Sequence, residues 1–293
     1  LKKQPNAIPY VTSYYKKTWG FCIEENLRKK FKKGTYKVLI DSKFKKGKMA
    51  YGEVVFKGKT KKEILLSTYI CHPEMANNET SGISVLTFLA NWIKKKKRKF
   101  TYRIIFIPET IGAIAYIHRN LIDLKKNLIA GYIITCVGDE NSFSYIPSRQ
   151  GDTASDYVAK LILKKHTKKY KTYSWLDRGS DERQFCSPGI DLPVCSITKT
   201  KYGKYKEYHT SLDKLDSVVT SKGLNESFNM YKKLITYFEE NKDFDSFFPK
   251  SIYPCEPHLS KRNLYPTISI KNQNSYIRNL MNILSYCDGK KSI

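Results

Sequence analysis

Two histidines and a set of carboxylates fall where strand-like runs of this chain end. The apolar run 63–71 closes in Cys71-His72-Pro73 and is followed by Asn77-Asn78-Glu79-Thr80-Ser81-Gly82 at the head of a helix-like segment. The run 102–107 ends in Pro108-Glu109-Thr110, and 130–137 leads into Gly138-Asp139-Glu140. Further on, Asp181, Glu182 and Arg183 precede a strand, and Tyr208-His209 follows one. Open α/β sheets bind ligands beyond the carboxyl ends of their strands. Neutral imidazole nitrogens and carboxylate oxygens, with one position left for water, are the donors of a catalytic zinc site. Such an ion polarises a carbonyl and acidifies its water, while a nearby Glu removes the proton. His72 and His209 are the candidate imidazole ligands. Glu109, set behind a proline at the end of an apolar strand, is the candidate base. Asp181, Glu182 and Arg183 read equally well as a salt-bridged turn, and His118, His166 and His258 read as structural.

The elements that must carry these residues follow from periodicity. Segments 36–42 and 50–56 are short β-type runs about a Lys/Gly turn and predict a hairpin. Strands are predicted at 63–71, 102–107, 130–137 and 192–198, and helices at 81–93, 112–120, 155–165 and 224–239. In the first helix Ile83, Leu86, Leu89, Ala90 and Ile93 form the apolar stripe. The Lys/Arg run 94–99 then complements the negative end of the helix dipole and reads as a solvated helix end. Alternating strands and helices, with apolar rather than alternating strands, predict an α/β domain. Its central sheet is mainly parallel, with helices on both faces. After residue 248 prolines punctuate an aperiodic stretch. Residues 275–286 regain helical spacing through Ile277, Leu280, Met281 and Leu284.

With 293 residues the chain is long enough for a substantial core. Its 53 Lys and Arg against 27 Asp and Glu give a formal charge of +26. The excess is mostly Lys, spread along the chain beside many Asn, Ile and Tyr, and reads as solvated lysine surface rather than a selected polyanion site. Seven cysteines, without a CxxC pair, do not form a secreted disulfide framework. Cys71, Cys136 and Cys195 lie in apolar runs as buried thiols. No apolar run is long enough to span a membrane. The start, without Met or a signal peptide's apolar stretch, reads as a piece of something longer, and the cytoplasm is the default compartment.

The string Ser67-Thr68-Tyr69-Ile70-Cys71-His72-Pro73-Glu74-Met75-Ala76-Asn77-Asn78-Glu79-Thr80-Ser81-Gly82 resembles a bacterial aminopeptidase-like domain family. Pro108-Glu109-Thr110-Ile111-Gly112, Gly179-Ser180-Asp181-Glu182-Arg183-Gln184 and Tyr208-His209-Thr210-Ser211 extend the likeness, as do segments 8–15 and 19–22, Ser148-Arg149 and Glu256-Pro257. Members of that family are often encoded among polysaccharide-biosynthesis genes, and their α/β domain is followed by a winged helix-turn-helix. The family is itself similar to zinc aminopeptidases and glutaminyl cyclases. The resemblance therefore implies a zinc-aminopeptidase-like fold over residues 1–248, N-terminally truncated, with the hairpin region at about 34–58 as a small subdomain. It implies a linker over 249–274 and the start of a truncated winged helix over 275–293.

Carried over position by position, His72 matches the family's first metal-binding His, His209 the last, and Glu109 the general base. Asp139 lies close to a later ligand Asp. Two positions depart from the two-zinc pattern: Asn78 stands where the bridging Asp belongs, and Thr110 where a second Glu belongs. One zinc ion is then expected, held by His72, His209 and an oxygen from Asp139, Asn78 or Asp181. Glu79 and Glu182 are further ligand or outer-shell candidates. Arg149, Arg183 and Tyr208 are expected to bind substrate, the arginines through bidentate contact with a carboxylate. The implied reaction is hydrolysis of an amide bond in a small peptide or an N-acylated sugar. The competing expectation is a catalytically silent binding domain linked to a winged helix, DNA being reached only through that last domain.

Overall fold

The computed structural model describes residues 1–11, 19–43, 45–241, 259–262, 264, 275–285 and 287. Seven strands build one sheet: β1 (Gly52–Phe56), β2 (Glu63–Tyr69), β3 (Thr101–Ile107), β4 (Leu128–Ile133), β5 (Ser144–Ile146), β6 (Lys171–Thr172) and β7 (Val194–Thr198). The helices are α1 (Glu25–Arg28), α2 (Ser81–Lys94), α3 (Ile111–Asn127), α4 (Ala154–His166), α5 (Glu182–Phe185), α6 (Ser221–Glu240) and α7 (Ser275–Ser285). The strand order is β1-β3-β2-β4-β7-β5-β6. β3, β2, β4 and β7 run parallel, while β1 and β5 are antiparallel to their neighbours β3 and β7.

Every residue of β2 is buried, which explains why its sequence shows no polar alternation. Ile64 and Leu66 pack toward the layer that includes α2, α4 and α6. Leu65 points to the opposite layer, with α3 and α5. Each such Leu or Ile contributes roughly 1.5–3 kcal/mol on burial, so the central strands are the most strongly fixed part of the sheet. The connection through α2 carries the chain from β2 to β3 on one side. The connection through α3 then returns it past β2 to β4 on the other side. A crevice opens at such a reversal, at the carboxyl ends of β2 and β4.

The expected pairing of 36–42 with 50–56 is not formed. Residues 36–42 make no strand. β1 instead pairs with β3, Val54 opposite Ile104 and Val55 opposite Arg103. Arg103 decides this arrangement: it bonds Glu53 and, through two nitrogens, Glu63. A charge cluster joining β1, β2 and β3 holds the edge strand better than a hairpin turn of lysines and glycines. β5, β6 and α5 were too short to leave a periodic signature. The linker expected over 249–274 lies outside the described residues, apart from 259–262 and 264, as do Glu256, Pro257 and residues 12–15.

The head of α2 rests directly on the strand ends. A Cβ at Gly82 would meet the carbonyl oxygen of Ile134 at 2.3 Å and Thr68 Oγ1 at 2.5 Å. No rotamer relieves a clash with backbone, so Gly82 sets how close α2 and the turn before it lie to β2 and β4. Gly82→Ala is expected to lower stability by about 1–3 kcal/mol, the range for overpacking. Urea denaturation reads this as a lower midpoint at unchanged slope; an unchanged midpoint would show that the helix is free to shift.

Candidate metal site

His72 leaves β2 on a tight turn in which the Met75 N–H donates to its carbonyl. Both its backbone N–H and its ring Nδ1 meet one oxygen of Glu79, the ring at 3.0 Å. This carboxylate raises the His72 pKa and fixes the ring, leaving Nε2 as the nitrogen open to a ligand, the pattern by which outer-shell carboxylates orient metal-binding imidazoles. Cys71 Sγ also lies 3.0 Å from Nδ1. Donor atoms of Cys71, His72 and Glu79 lie within 4.8 Å of one another. Burial pushes the Cys71 thiol up to about 12, so it stands as a neutral thiol, and this trio orients the ring rather than forming a ready coordination shell.

The turn carrying Glu79 is a π-helical turn, Ala76–Thr80. It is pinned from far away in the chain. Asp213, buried, accepts the backbone N–H of Asn77 at 2.7 Å, that of Asn78 at 3.0 Å, and the Tyr205 hydroxyl at 2.8 Å. Asn77 donates to Asp139 and accepts from the Gly138 N–H, joining the turn to the segment beyond β4. The Asn78 side-chain oxygen takes the Tyr69 hydroxyl at 3.3 Å and lies 3.9 Å from Cys136 Sγ.

Asp139 is buried, and both its oxygens are occupied: they accept Asn77 Nδ2, the Asn141 N–H, and the N–H and hydroxyl of Thr200, all at 2.9–3.0 Å. It ties three loops together. Glu182 is similarly occupied by Gly179, Ser180, Ser196 and Tyr202. Arg149 is exposed and pairs with Asp191, and no contact joins it to His72, Glu109 or Asp181 among the described residues.

Glu109 is half-buried beyond β3. Burial raises its pKa, opposed by the positive charges of His72 and Arg183. Thr110 next to it has φ 61° and ψ −71°, with Ile111 N–H bonded to the Glu109 carbonyl at 2.7 Å. Such a three-residue turn is strained by about 1–3 kcal/mol and persists only when its surroundings fix it. Asp181 accepts the Thr110 N–H at 2.7 Å, and Arg183 donates to the Thr110 hydroxyl at 2.6 Å. Thr110 is thus where the α5 loop grips the base-bearing turn.

His209, also in the left-handed region at φ 54°, stacks on His72 with ring centroids 5.3 Å apart. Burial, and secondarily the charge of His72, lower its pKa to about 4, so it is neutral at physiological pH. Tyr208 stacks on its far side at 3.9 Å, and the Tyr10 ring lies 4.9 Å from His72 and 5.1 Å from His209. The N-terminal segment is held there by bonds of Tyr10 N–H to the His209 carbonyl and Ser211 N–H to that of Ile8.

The residues present fit one divalent cation. Two imidazoles, one oriented by a carboxylate and one neutral, are brought together. Two buried carboxylate oxygens, Glu79 Oε1 and Asp181 Oδ2, have no donor among the described residues. A two-ion centre does not fit, because Asn78 and Thr110 supply no negative charge where bridging requires it. Asp213, Asn77, Tyr69 and Tyr10 were not singled out from sequence. Only the Asn77-Asn78 pair before a glycine-headed helix offered a signal, as side chains that bond local backbone.

A family model described as "Domain of unknown function (DUF4910)" matches residues 8–241, and a winged helix-turn-helix model matches 248–293. The chain belongs to the first of these families. A Clostridium acetobutylicum protein named for polysaccharide biosynthesis and an aminopeptidase-like domain is 39% identical over 289 residues. That alignment covers 98% of this chain and 65% of the relative. A crystal structure from the same organism, named as a peptidase, superposes with TM-score 0.80 at 37% identity, covering 100% of this chain and 65% of that one. The chain therefore spans about two thirds of the length of both. BSAP, a zinc aminopeptidase from Bacillus subtilis, shares the fold at TM-score 0.55 and 15% identity, over 65% of this chain and 50% of its own. No helix among the described residues is long and apolar enough to cross a membrane.

The Asp213 clamp is testable. Asp213→Asn leaves one oxygen for two backbone amides and the Tyr205 hydroxyl. A cost of about 1–3 kcal/mol is expected from the unsatisfied buried donor, read as a lower urea midpoint. Unchanged stability would mean that the π-helical turn is held by other contacts.

Proposed function

We propose that this chain is a hydrolase of amide bonds that works with a single zinc ion. The observation that carries the reading is the stacked His72–His209 pair beside half-buried Glu109. His72 Nε2 and His209 would hold the ion. Oxygen ligation falls to the Asn78 carboxamide or to Asp181, since Asp139 and Glu182 are committed to structural bonds. The bound ion supplies Lewis acidity for a carbonyl oxygen and for water. Glu109, raised by burial toward the range where a carboxylate accepts and returns protons, takes the proton from water and passes it to the leaving amine. Glu79 keeps the His72 ring in one tautomer, and Asp181 and Arg183 hold the turn on which Glu109 sits. Arg183, unlike Arg149, has a position from which to meet an anionic substrate group. Tyr208 and Tyr10 offer aromatic walls for a small peptide or N-acylated sugar. The chain's six described cysteines are free thiols, which supports a cytoplasmic setting.

The neutral Asn78, with its oxygen engaged by Tyr69, favours a second reading in which the site binds ligand without turnover. Kinetics on the zinc-loaded chain separate the two. Hydrolysis of aminoacyl amides or N-acetylated amino sugars is expected, with Glu109→Gln lowering kcat by about 10²–10⁴ and leaving zinc content unchanged. Asn78→Asp is expected to tighten zinc binding by about 10- to 100-fold. Zinc-loaded protein without turnover on either substrate class, or Glu109→Gln as active as the parent, would sink the hydrolase reading.

A further inference from the structure

The lysine excess is not evenly distributed once the chain is folded. Residues 57–62, before β2, hold four lysines; residues 94–99, before β3, hold five lysines and Arg98; neither segment contains an Asp or Glu. In the fold they lie side by side. Lys59 N–H bonds the Arg98 carbonyl, Thr60 N–H that of Lys99, and Thr101 N–H that of Lys62. Ten cations thus share one corner of the sheet, at the amino ends of β2 and β3. Lys57, Lys59, Lys61 and all of residues 94–97 are exposed. Arg98 is the structural member, its guanidinium donating to the carbonyls of Ile93, Lys94 and Lys96 and so closing α2.

The carboxyl end of α6 docks on the same corner. Glu239 accepts the N–H groups of Lys99 and Phe100 and the Tyr102 hydroxyl, and Lys99 Nζ reaches the Asn241 carbonyl. This neutralises Glu239 as a competitor for the lysines. It also fixes where the chain leaves the α/β domain, seven residues before the winged-helix match begins at 248.

We propose that this lysine corner is a binding surface for the phosphate backbone of duplex DNA, extending the contact made by the winged helix. The argument is independent of the metal site. Its Lys-Gly-Thr composition suits phosphates, which lysine meets as a point charge, and carries no base-reading elements. The two segments contribute no large apolar side chain of the kind that inserts into a lipid interface, which favours a nucleic acid over a membrane. The expectation that DNA is reached only through the last domain is thereby revised.

The test uses the whole 293-residue chain and a mixed-sequence DNA duplex, with binding followed by fluorescence anisotropy across salt concentration. Replacing Lys59, Lys61, Lys95, Lys96 and Lys97 by Gln should flatten the slope of log affinity against log salt by about 3, each lost phosphate contact being worth about 0.9. The affinity loss at low salt should be at least about tenfold. A control carrying Gln at Lys29, Lys30, Lys32, Lys33 and Lys37, exposed and equal in charge, should keep the parent slope. Circular dichroism checks that both variants fold. Equal losses in the two variants would show that total charge alone acts, and no binding by the parent, or no change in the patch variant, would overturn the proposal. Patch-dependent binding to vesicles of anionic phospholipid, with duplex binding unaffected, would overturn it in favour of a membrane.

Discussion

Asp213 accepts two successive backbone amides of a turn 135 residues earlier in the chain, and the site is arranged around that contact. A π-helical turn is an uncommon conformation, and this one must present Glu79 to His72 while its carboxyl end starts α2. Without an external acceptor, the amides of Asn77 and Asn78 would be buried and unpaired. With it, Glu79 reaches both the backbone and the ring of His72. Asn77 reaches the segment beyond β4, and Gly82 brings the helix head onto the strands. The clamp also ties the loop bearing His209 to the loop bearing His72, so the two imidazoles meet as consequences of one constraint.

A second constraint acts at Glu109. The strained turn at Thr110 is held by Asp181 and Arg183 from a short helix that contributes nothing to the central sheet. Where a two-ion centre would have placed a second carboxylate, this chain has a threonine gripped by an ion-bearing loop. Negative charge has been removed from the 78 and 110 positions, while a guanidinium has been brought in beside the base. That exchange is electrostatically coherent for one cation. It would leave two cations badly compensated.

The central strands, the long helices and the two histidines were legible because apolar periodicity and residue type at strand ends are local signals. What was not legible depends on contacts between distant segments. The 50–56 strand carries a β-type sequence that fits either a hairpin or a sheet edge, and only Arg103, bonded to both Glu53 and Glu63, selects the edge. Asp139 and Glu182 read as candidate ligands from sequence, and only their full sets of donors show them to be structural. Asp213 looked like one polar residue among several after His209. The run at 94–99 read as a solvated helix end because its partner at 57–62 is joined to it only by the parallel pairing of β2 and β3. Charge clustering in space is invisible to a count of lysines along a chain.

The central claim is that the site holds one ion, on His72 and His209. Isothermal titration of zinc into metal-stripped protein tests it most directly, because it counts sites and does not need a substrate. The account predicts a single site, stoichiometry close to one, lost in His72→Ala and in His209→Ala while Asp139→Asn retains it. Two equivalents of zinc, or no binding in the parent chain, would contradict it, as would single-site binding that survives both histidine substitutions.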